Sequence, residues 1–213
     1  MLDSVTTSEG LAVVHLFCAR TADTENDAVI SAVKAAQAAD VQVVTAAILG
    51  HKAELCFMAL AADGWALRDL QTALTNAGLV VVDSFVSITE LSEYAQGLPE
   101  EMKNMRLYPE LPPEGKNAYC FYPMTKRRGA DNNWFTLDFE ERKELMYEHG
   151  TSGRQFAGRI VQLITASTGL DDWEWGVTLF GVKIDDLKDT VYTMRYDTAS
   201  AVYAEFGPFY TGM

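Results

Sequence analysis

The chain has 213 residues, of which 48% are hydrophobic, so it can bury the core of one large domain or of two small ones. Its formal net charge of −13 argues against nucleic acid and anionic membranes as partners, because an acidic surface repels both. No apolar run is long enough for a membrane span, and residues 1–10 are acidic and polar where a signal peptide is basic and then apolar. We therefore predict a cytoplasmic protein without a membrane span.

The first half of the chain, residues 1–95, alternates patterns typical of strands and of helices. Continuous apolar runs predict buried strands, and apolar residues spaced by three and four predict helices. Asp63 is the predicted cap of the second helix, and Gly78 its predicted end. The order strand, helix, strand, strand, helix, strand falls on "LAVVHLFCAR", "AVISAVKAAQAAD", "VQVVTAAILG", "AELCFMALA", "GWALRDLQTALTNAG" and "LVVVDSFVSI".

Residues 96–117 are rich in proline and glycine and predict a connector, after which residues 118–213 repeat the same order of elements. A unit of this order is ferredoxin-like, and two such units can pair their sheets into a barrel with the helices outside. The predicted fold is therefore α+β, a dimeric α+β barrel made of two ferredoxin-like halves. The segments of the second half are "AYCFYPM", "EERKELMYEHG", "RIVQLITAST", "WEWGVTLFGV", "DDLKDTVYTMRYDTASAVYAEF" and "GPFYTGM".

His149 closes the predicted helix "EERKELMYEHG". One interpretation is a cation that favours the negative end of the helix dipole. The other is an iron ligand, because Leu145 and Met146 share its helix face and the imidazole projects from an apolar wall, as the proximal ligand of a haem does. His15 and His51 are weaker candidates, and no histidine and carboxylate cluster indicates zinc.

Tyr122 shares one face of its predicted strand with Cys120 and Met124. A strand tyrosine usually serves packing, but here cations follow at once. They predict a cationic rim able to pair with carboxylates, whereas the alternative is a solvated strand end. The residues of this rim are Lys126, Arg127, Arg128, Arg106 and Arg195.

Three further residues of the second half are candidates for a ligand wall. The segment "WEWGVTLF" is predicted to place Trp173 and Trp175 on one side of a strand, where aromatic residues are more often core than cofactor wall. Gln162 is polar within the apolar strand "RIVQLITAST", so if it faces inward it needs a hydrogen-bond partner or a ligand. Each residue alone is a weak indication of a site.

Taken together and in order, five motifs resemble the chlorite dismutase-like haem proteins, and specifically their coproheme decarboxylase branch. They are "CFYPMTKRR", "NNWFTL", "EERKELMYEHG", "GLDDWEWGVTLF" and "VYTMRYDTASAVYAEFGPFYTG". The resemblance is dense over residues 106–213, whereas the first half agrees only in element order. It implies a homopentamer of barrels that uses Fe-coproporphyrin III (coproheme) both as substrate and as redox cofactor. Hydrogen peroxide would drive the loss of two propionates as carbon dioxide, giving haem b, and a transient contact with a coproporphyrin ferrochelatase is implied as well.

By position, the resemblance implies that His149 is the proximal iron ligand and that a radical on Tyr122 takes a hydrogen from a propionate. Lys126 and Met124 match residues near the reactive propionates. Gln162 stands where members that degrade chlorite carry a distal arginine, and a neutral amide holds an oxychlorine anion less strongly than a guanidinium does. The other implied contacts to propionates or porphyrin are Arg106, Arg195, Ser200, Trp173 and Trp175.

This sequence departs from the family pattern at two places. The loop between Arg106 and Tyr122 is longer than the pattern, and the distal histidine of the actinobacterial form has no counterpart here. Three alternatives to decarboxylation stay open at this point. They are chlorite breakdown or a general haem peroxidase activity, a haem or porphyrin carrier with little turnover, and an interaction module that binds no porphyrin.

Overall fold

The computed structural model describes residues 3–95 and 97–213. In the first half the elements follow the predicted order, so the sequence-based prediction is confirmed there. Their bounds are β1 Ala12–Ala19, α1 Asn26–Ala38, β2 Gln42–Ala47, β3 Leu55–Ala61, α2 Gly64–Asn76 and β4 Val80–Thr89.

The α2 helix begins and ends as its sequence predicts. The Asp63 side chain accepts a hydrogen bond from the backbone N–H of Trp65 at 3.0 Å, which satisfies a donor of the first turn. Gly78 follows the helix at a φ of +87°, a conformation that glycine adopts without strain. Leu70 and Leu74 are buried between these ends against strands of the sheet.

The buried face of α2 gives a direct test of the packing. We expect Leu74→Ala to lower the free energy of unfolding by about 2–5 kcal/mol, because the lost side chain leaves a cavity in a fully buried position. Urea denaturation followed by circular dichroism measures this change. The neighbouring Thr75 is exposed, so Thr75→Ala is the control and should change stability by less than about 0.5 kcal/mol. Equal effects of the two substitutions would contradict this packing.

The second half repeats the arrangement after a connector that itself contains a helix. The bounds are α3 Glu100–Leu107 in the connector, then β5 Ala118–Lys126, α4 Phe139–Arg154, β6 Ile160–Ala166, β7 Trp175–Gly181 and α5 Ile184–Met194. The chain ends with α6 Thr198–Ala201, β8 Ala204–Phe206 and β9 Tyr210–Gly212.

The predicted single helix "DDLKDTVYTMRYDTASAVYAEF" is wrong in its second part. The structure ends α5 at Met194, and the short α6 precedes a strand that pairs with β5. The Asp197 side chain accepts a hydrogen bond from the backbone N–H of Ser200 at 2.9 Å. An aspartate that bonds the backbone in this way favours a new helix start over continuation of the preceding helix.

The strands form one antiparallel sheet in the order β2, β3, β1, β4, β6, β7, β5, β8, and β9 also pairs with β5. The two halves join where Ile88 and Thr89 of β4 pair with Ala166 and Thr165 of β6. They meet again where residues 211–213 exchange backbone hydrogen bonds with residues 47–49. The sheet therefore encloses an interior core to which both halves contribute, including Val13, Phe17, Met58, Phe85, Phe121 and Phe180.

Helices α1, α2 and α5 pack on the outer face of the sheet. In the first half, α1 and α2 pack on β1, β2 and β3. In the second half, α5 packs on β5 and β7, where Leu187 joins a small cluster with Cys120 and Tyr122. No helix within the described ranges is both long and apolar enough to cross a membrane.

Candidate active site

On the outer face of the second half, α4 and strand β6 each present partly exposed side chains, and the region between these two surfaces is called the cleft. All sixteen residues of α4 are described, and none of them is buried. The half-buried residues Leu145, Met146 and His149 form one stripe along this helix. On the same side of the sheet, β6 exposes Gln162 and leaves Ile164 43% exposed. An apolar helix face and an apolar sheet face that do not bury each other fit a flat, apolar ligand between them.

His149 lies within α4 and not at its end. The helix continues to Arg154, so the interpretation of His149 as a cation at the helix terminus is wrong. Its Nδ1 atom lies 2.9 Å from Oδ2 of Asp197 and 3.3 Å from Oγ of Ser200. An ionised carboxylate only accepts hydrogen bonds, so this pairing makes Nδ1 the donor and leaves the lone pair on Nε2 for a metal.

Asp197 is suited to hold the imidazole in this tautomer. Its side chain is 1% exposed. Burial raises the pKa of Asp197, but hydrogen bonds from His149 and Ser200 outweigh that effect and lower the pKa below its ordinary value. The carboxylate is therefore ionised at neutral pH and orients His149.

Tyr122 lies on the outer face of β5, as its predicted alternation with Cys120 and Met124 requires. The ring is 7% exposed and stacks on Phe209 with centroids 4.5 Å apart. Burial, with a small contribution from Cys120, raises the pKa of Tyr122 well above its ordinary value. Its hydroxyl has no hydrogen-bond partner among the described residues, and the raised pKa keeps the phenol neutral at neutral pH.

The strand register relates Tyr122 to the cleft. Tyr122 pairs with Val177 of β7, which in turn pairs with Ile164 of β6, so these three side chains form one row across the outer face. Two strand spacings separate Tyr122 from Ile164, or roughly 10 Å. Met124 and Trp175 form the next row, and both are half-buried. A flat ligand placed over β6 and β7 would therefore lie next to the strand that carries Tyr122.

Lys126 is buried at the end of the same strand face. Its Nζ donates a hydrogen bond to the backbone carbonyl of Ala199 at 2.7 Å and lies 4.3 Å from the centre of the Trp134 ring. Burial lowers the pKa of Lys126 to about 8, against the opposing effects of Asp197 and Glu174. The lysine is therefore mostly charged at neutral pH and titrates just above it.

If the cleft binds a porphyrin with carboxylates, the titration of Lys126 predicts how that binding depends on pH. If the ammonium attracts ligand carboxylates, affinity for coproporphyrin should fall above pH 8 by up to about tenfold per pH unit, because the free protein loses the charge there. Quenching of tryptophan fluorescence between pH 6 and 10 measures this affinity. Lys126→Met should bind coproporphyrin more weakly than the wild type at pH 7, and its affinity should not change between pH 6 and 10. A wild-type affinity that stays constant from pH 7 to 9.5 would contradict the role of Lys126.

The other predicted cations are placed differently from one another. Arg127 pairs with Glu205 at 3.6 Å, and Arg128 pairs with the buried Glu174. Arg195 is exposed at the end of α5 and lies over the Tyr192 ring at 4.1 Å. Arg106, exposed on α3, donates to the carbonyl of Met102 within its own helix. The predicted rim is thus two partly neutralised arginines together with Lys126, Arg106 and Arg195, which have no ion pair among the described residues.

One expectation about the strand residues needs correction, and the condition stated for Gln162 is resolved. Trp173 and Trp175 do not share one side of a strand, because β7 begins at Trp175 and Trp173 packs on the interior core near Pro123 and Gly207. Gln162 does not face the interior, because it pairs with Leu179 of the outer cluster and is exposed. It therefore needs no protein partner and is available to a ligand in the cleft.

Three residues of the site, Asp197, Glu174 and Trp134, were not predicted from the sequence. Asp197 carried a signal, because aspartate is one of the residues preferred at the start of a helix. Glu174 and Trp134 carried none, since their contacts depend on chain segments far apart in sequence.

Two cavities of about 420 and 400 Å³ lie elsewhere. One opens at the interior core beside Asp83 and Trp173, the other lies between α5 and β9 beside Arg195, and neither is lined by His149, Tyr122 or Gln162.

Comparison with known proteins decides the family. Residues 20–213 match the chlorite dismutase family. The chain belongs to that family. A haem-binding protein from Thermus thermophilus is 34% identical, with 99% of this chain and 92% of that one covered and a TM-score of 0.84. The match extends through the first half, where the motifs alone showed only agreement in element order.

Two further structures of chlorite dismutase family members share the fold. A single-site variant of chlorite dismutase from Candidatus Nitrospira defluvii is 20% identical, with 97% of this chain and 91% of that one covered and a TM-score of 0.74. The same enzyme in complex with imidazole is 18% identical, with 97% and 92% covered and a TM-score of 0.74. Their similarity shows that this chain has the family fold, in which two ferredoxin-like halves form one barrel.

Proposed function

We propose that this member of the chlorite dismutase family converts Fe-coproporphyrin III into haem b by hydrogen-peroxide-dependent decarboxylation of two propionates. One observation carries the proposal. Tyr122, a buried phenol without a hydrogen-bond partner among the described residues, shares one strand face with Met124 and Lys126 beside the cleft that His149 lines. A porphyrin carrier has no need of such a phenol.

The residues of the cleft fit an iron porphyrin. The Leu145 and Met146 face of α4 and the exposed Ile164 would enclose the apolar macrocycle, and His149 would bind the iron through Nε2. When bound, the iron supplies the redox chemistry with peroxide. The ligand would carry four carboxylates into an acidic protein, and Lys126, Arg195 and Arg106 supply cations for them. Ser200 and the amide of Gln162 supply hydrogen bonds.

The proposed reaction removes one propionate at a time. Each propionate, with one hydrogen peroxide and one proton, gives a vinyl group, carbon dioxide and two water molecules, so the propionate loses two electrons and the peroxide gains them. Tyr122 would first give one electron and one proton to the peroxide-derived oxidant, and would then take a hydrogen atom from the propionate. The propionate radical would give the second electron to the same oxidant as its bond to the carboxylate breaks and carbon dioxide leaves. The phenol of Tyr122 is neutral before the first of these steps because burial keeps its pKa high. The electron and the proton are therefore both lost from the same phenol group.

Gln162 supports decarboxylation over chlorite breakdown. It occupies the outer face of β6 within the cleft and carries no charge. A neutral amide offers an oxychlorine anion far less stabilisation than an arginine would. Trp175, in the row of Met124, is proposed to border the porphyrin, whereas Trp173 would reach it only from the far side of the strand. We further propose a cytoplasmic homopentamer that meets a coproporphyrin ferrochelatase transiently.

The experiment that tests the proposed reaction compares two oxidants and two ligands. The protein loaded with Fe-coproporphyrin III should consume two equivalents of peroxide as its absorption spectrum becomes that of haem b. Addition of chlorite should release no oxygen at an oxygen electrode. Protein loaded with haem b is the control, and it should bleach with peroxide without a defined product. Oxygen release from chlorite, or an unchanged coproporphyrin spectrum after peroxide, would overturn the proposal.

A further inference from the structure

Glu174 ties the end of β5 to the start of β7. It is 6% exposed, and its Oε2 accepts hydrogen bonds from Oγ1 of Thr125 at 2.6 Å and from the backbone N–H of Lys126 at 2.9 Å. Its Oε1 accepts from the Arg128 guanidinium. One buried carboxylate thus binds three groups within residues 125–128, directly after Met124.

These contacts fix the backbone from which the Lys126 side chain extends. The carboxylate satisfies the buried amide of Lys126, which would otherwise lack its partner and lower the stability of this segment. From this fixed point Nζ reaches Ala199 and the Trp134 ring. The negative charge of Glu174 also stabilises the ammonium against the penalty of burial.

We infer that Glu174 is a positioning residue that fixes the charged Lys126 side chain beside the cleft for contact with a porphyrin carboxylate. The inference rests on the proposed function for the identity of the ligand. The contacts of Glu174 with residues 125–128 are independent of that proposal. Glu174 itself directly precedes β7 and makes its contacts on residues 125–128, so it acts through Lys126.

The charged groups around Lys126 define what a test must control. Its own strand end carries Arg127 and Arg128, the start of β7 carries Glu174, β8 carries Glu205, and the cap of α6 carries Asp197, which holds His149 of α4. Among these, Glu205 is the matched control for Glu174. It also pairs with an arginine of the same segment, but its side chain is 57% exposed and it accepts no bond from the Lys126 backbone.

A double-mutant cycle tests the inference. We expect Glu174→Gln to weaken binding of Fe-coproporphyrin III at pH 7 by at least about fivefold, and to move the alkaline loss of affinity to lower pH, because Lys126 loses a stabilising negative charge. In the Lys126→Met background the same substitution should change affinity by less than about twofold. Glu205→Gln should leave the affinity for Fe-coproporphyrin III unchanged in both backgrounds. If Glu174→Gln lowered the affinity equally in the presence and absence of Lys126, the inference would be overturned.

A second measurement needs no ligand. The Cε resonance of Lys126 in the free protein, identified by its disappearance in Lys126→Met, reports the titration of the ammonium by nuclear magnetic resonance. Glu174→Gln should shift its midpoint to lower pH, whereas Glu205→Gln should not, and an unmoved midpoint would refute the inference. If no porphyrin binds to the wild type, the proposed function fails, and this titration still decides the role of Glu174.

Discussion

Replacement of Tyr122 by phenylalanine should leave porphyrin binding intact and lower the rate of decarboxylation by at least about 100-fold. The substitution removes one oxygen from a buried ring that packs on Phe209 through its face, so the shape of the site is kept. What is lost is the group that can give up an electron and a proton together. Affinity is measured by tryptophan fluorescence, and the rate by chromatography of the porphyrin after peroxide addition.

The matched control is Tyr119→Phe. Tyr119 lies on the same strand but faces the interior core, where its hydroxyl meets the Cys56 thiol at 3.5 Å. This variant should decarboxylate at the wild-type rate. If both variants are equally active, Tyr122 serves packing alone, and if both are equally inactive, the loss reflects the strand and not the phenol.

Replacement of His149 by alanine should weaken the binding of Fe-coproporphyrin III by at least about 100-fold, while metal-free coproporphyrin III binds as before. The difference arises because only the iron complex uses the bond from Nε2. Added imidazole should restore the iron complex in part, since it can fill the space left beside Asp197. Titration of both porphyrins followed by absorption spectroscopy measures the effect.

His51→Ala provides the control for the loss of a histidine. His51 is an exposed residue of the turn between β2 and β3, outside both α4 and β6, and its replacement should change neither affinity. An equal loss of affinity for both porphyrins in His149→Ala would mean that the substitution has displaced helix α4. Unchanged binding of both would remove His149 from the iron site.

The order of elements was accessible from sequence because local patterns determine it. The apolar run of β1 and the leucine spacing of α2 lead to the same elements in the structure. The break after Met194 was missed, since helical spacing continues across it and only the Asp197 side chain, through its bond to Ser200, stops the helix. Periodicity thus identifies elements well, but side-chain caps decide where they end.

The residues of the candidate site were less accessible, and for a specific reason. Tyr122, Met124 and Lys126 follow from alternation along one strand, which is a local property. The partners of those residues come from distant segments. Asp197 meets His149 across 48 positions, and Glu174 meets Lys126 across 48 as well. No spacing rule predicts such contacts, so the sequence indicates which side chains share a strand face but not the distant carboxylates that contact the candidate residues.

The most direct test of the account is the mass of the porphyrin after stepwise addition of peroxide to protein loaded with Fe-coproporphyrin III. We predict a species that has lost one carboxyl group, then a second that has lost two and matches haem b, with neither species formed by Tyr122→Phe. A tightly bound porphyrin whose mass does not change would contradict the central claim.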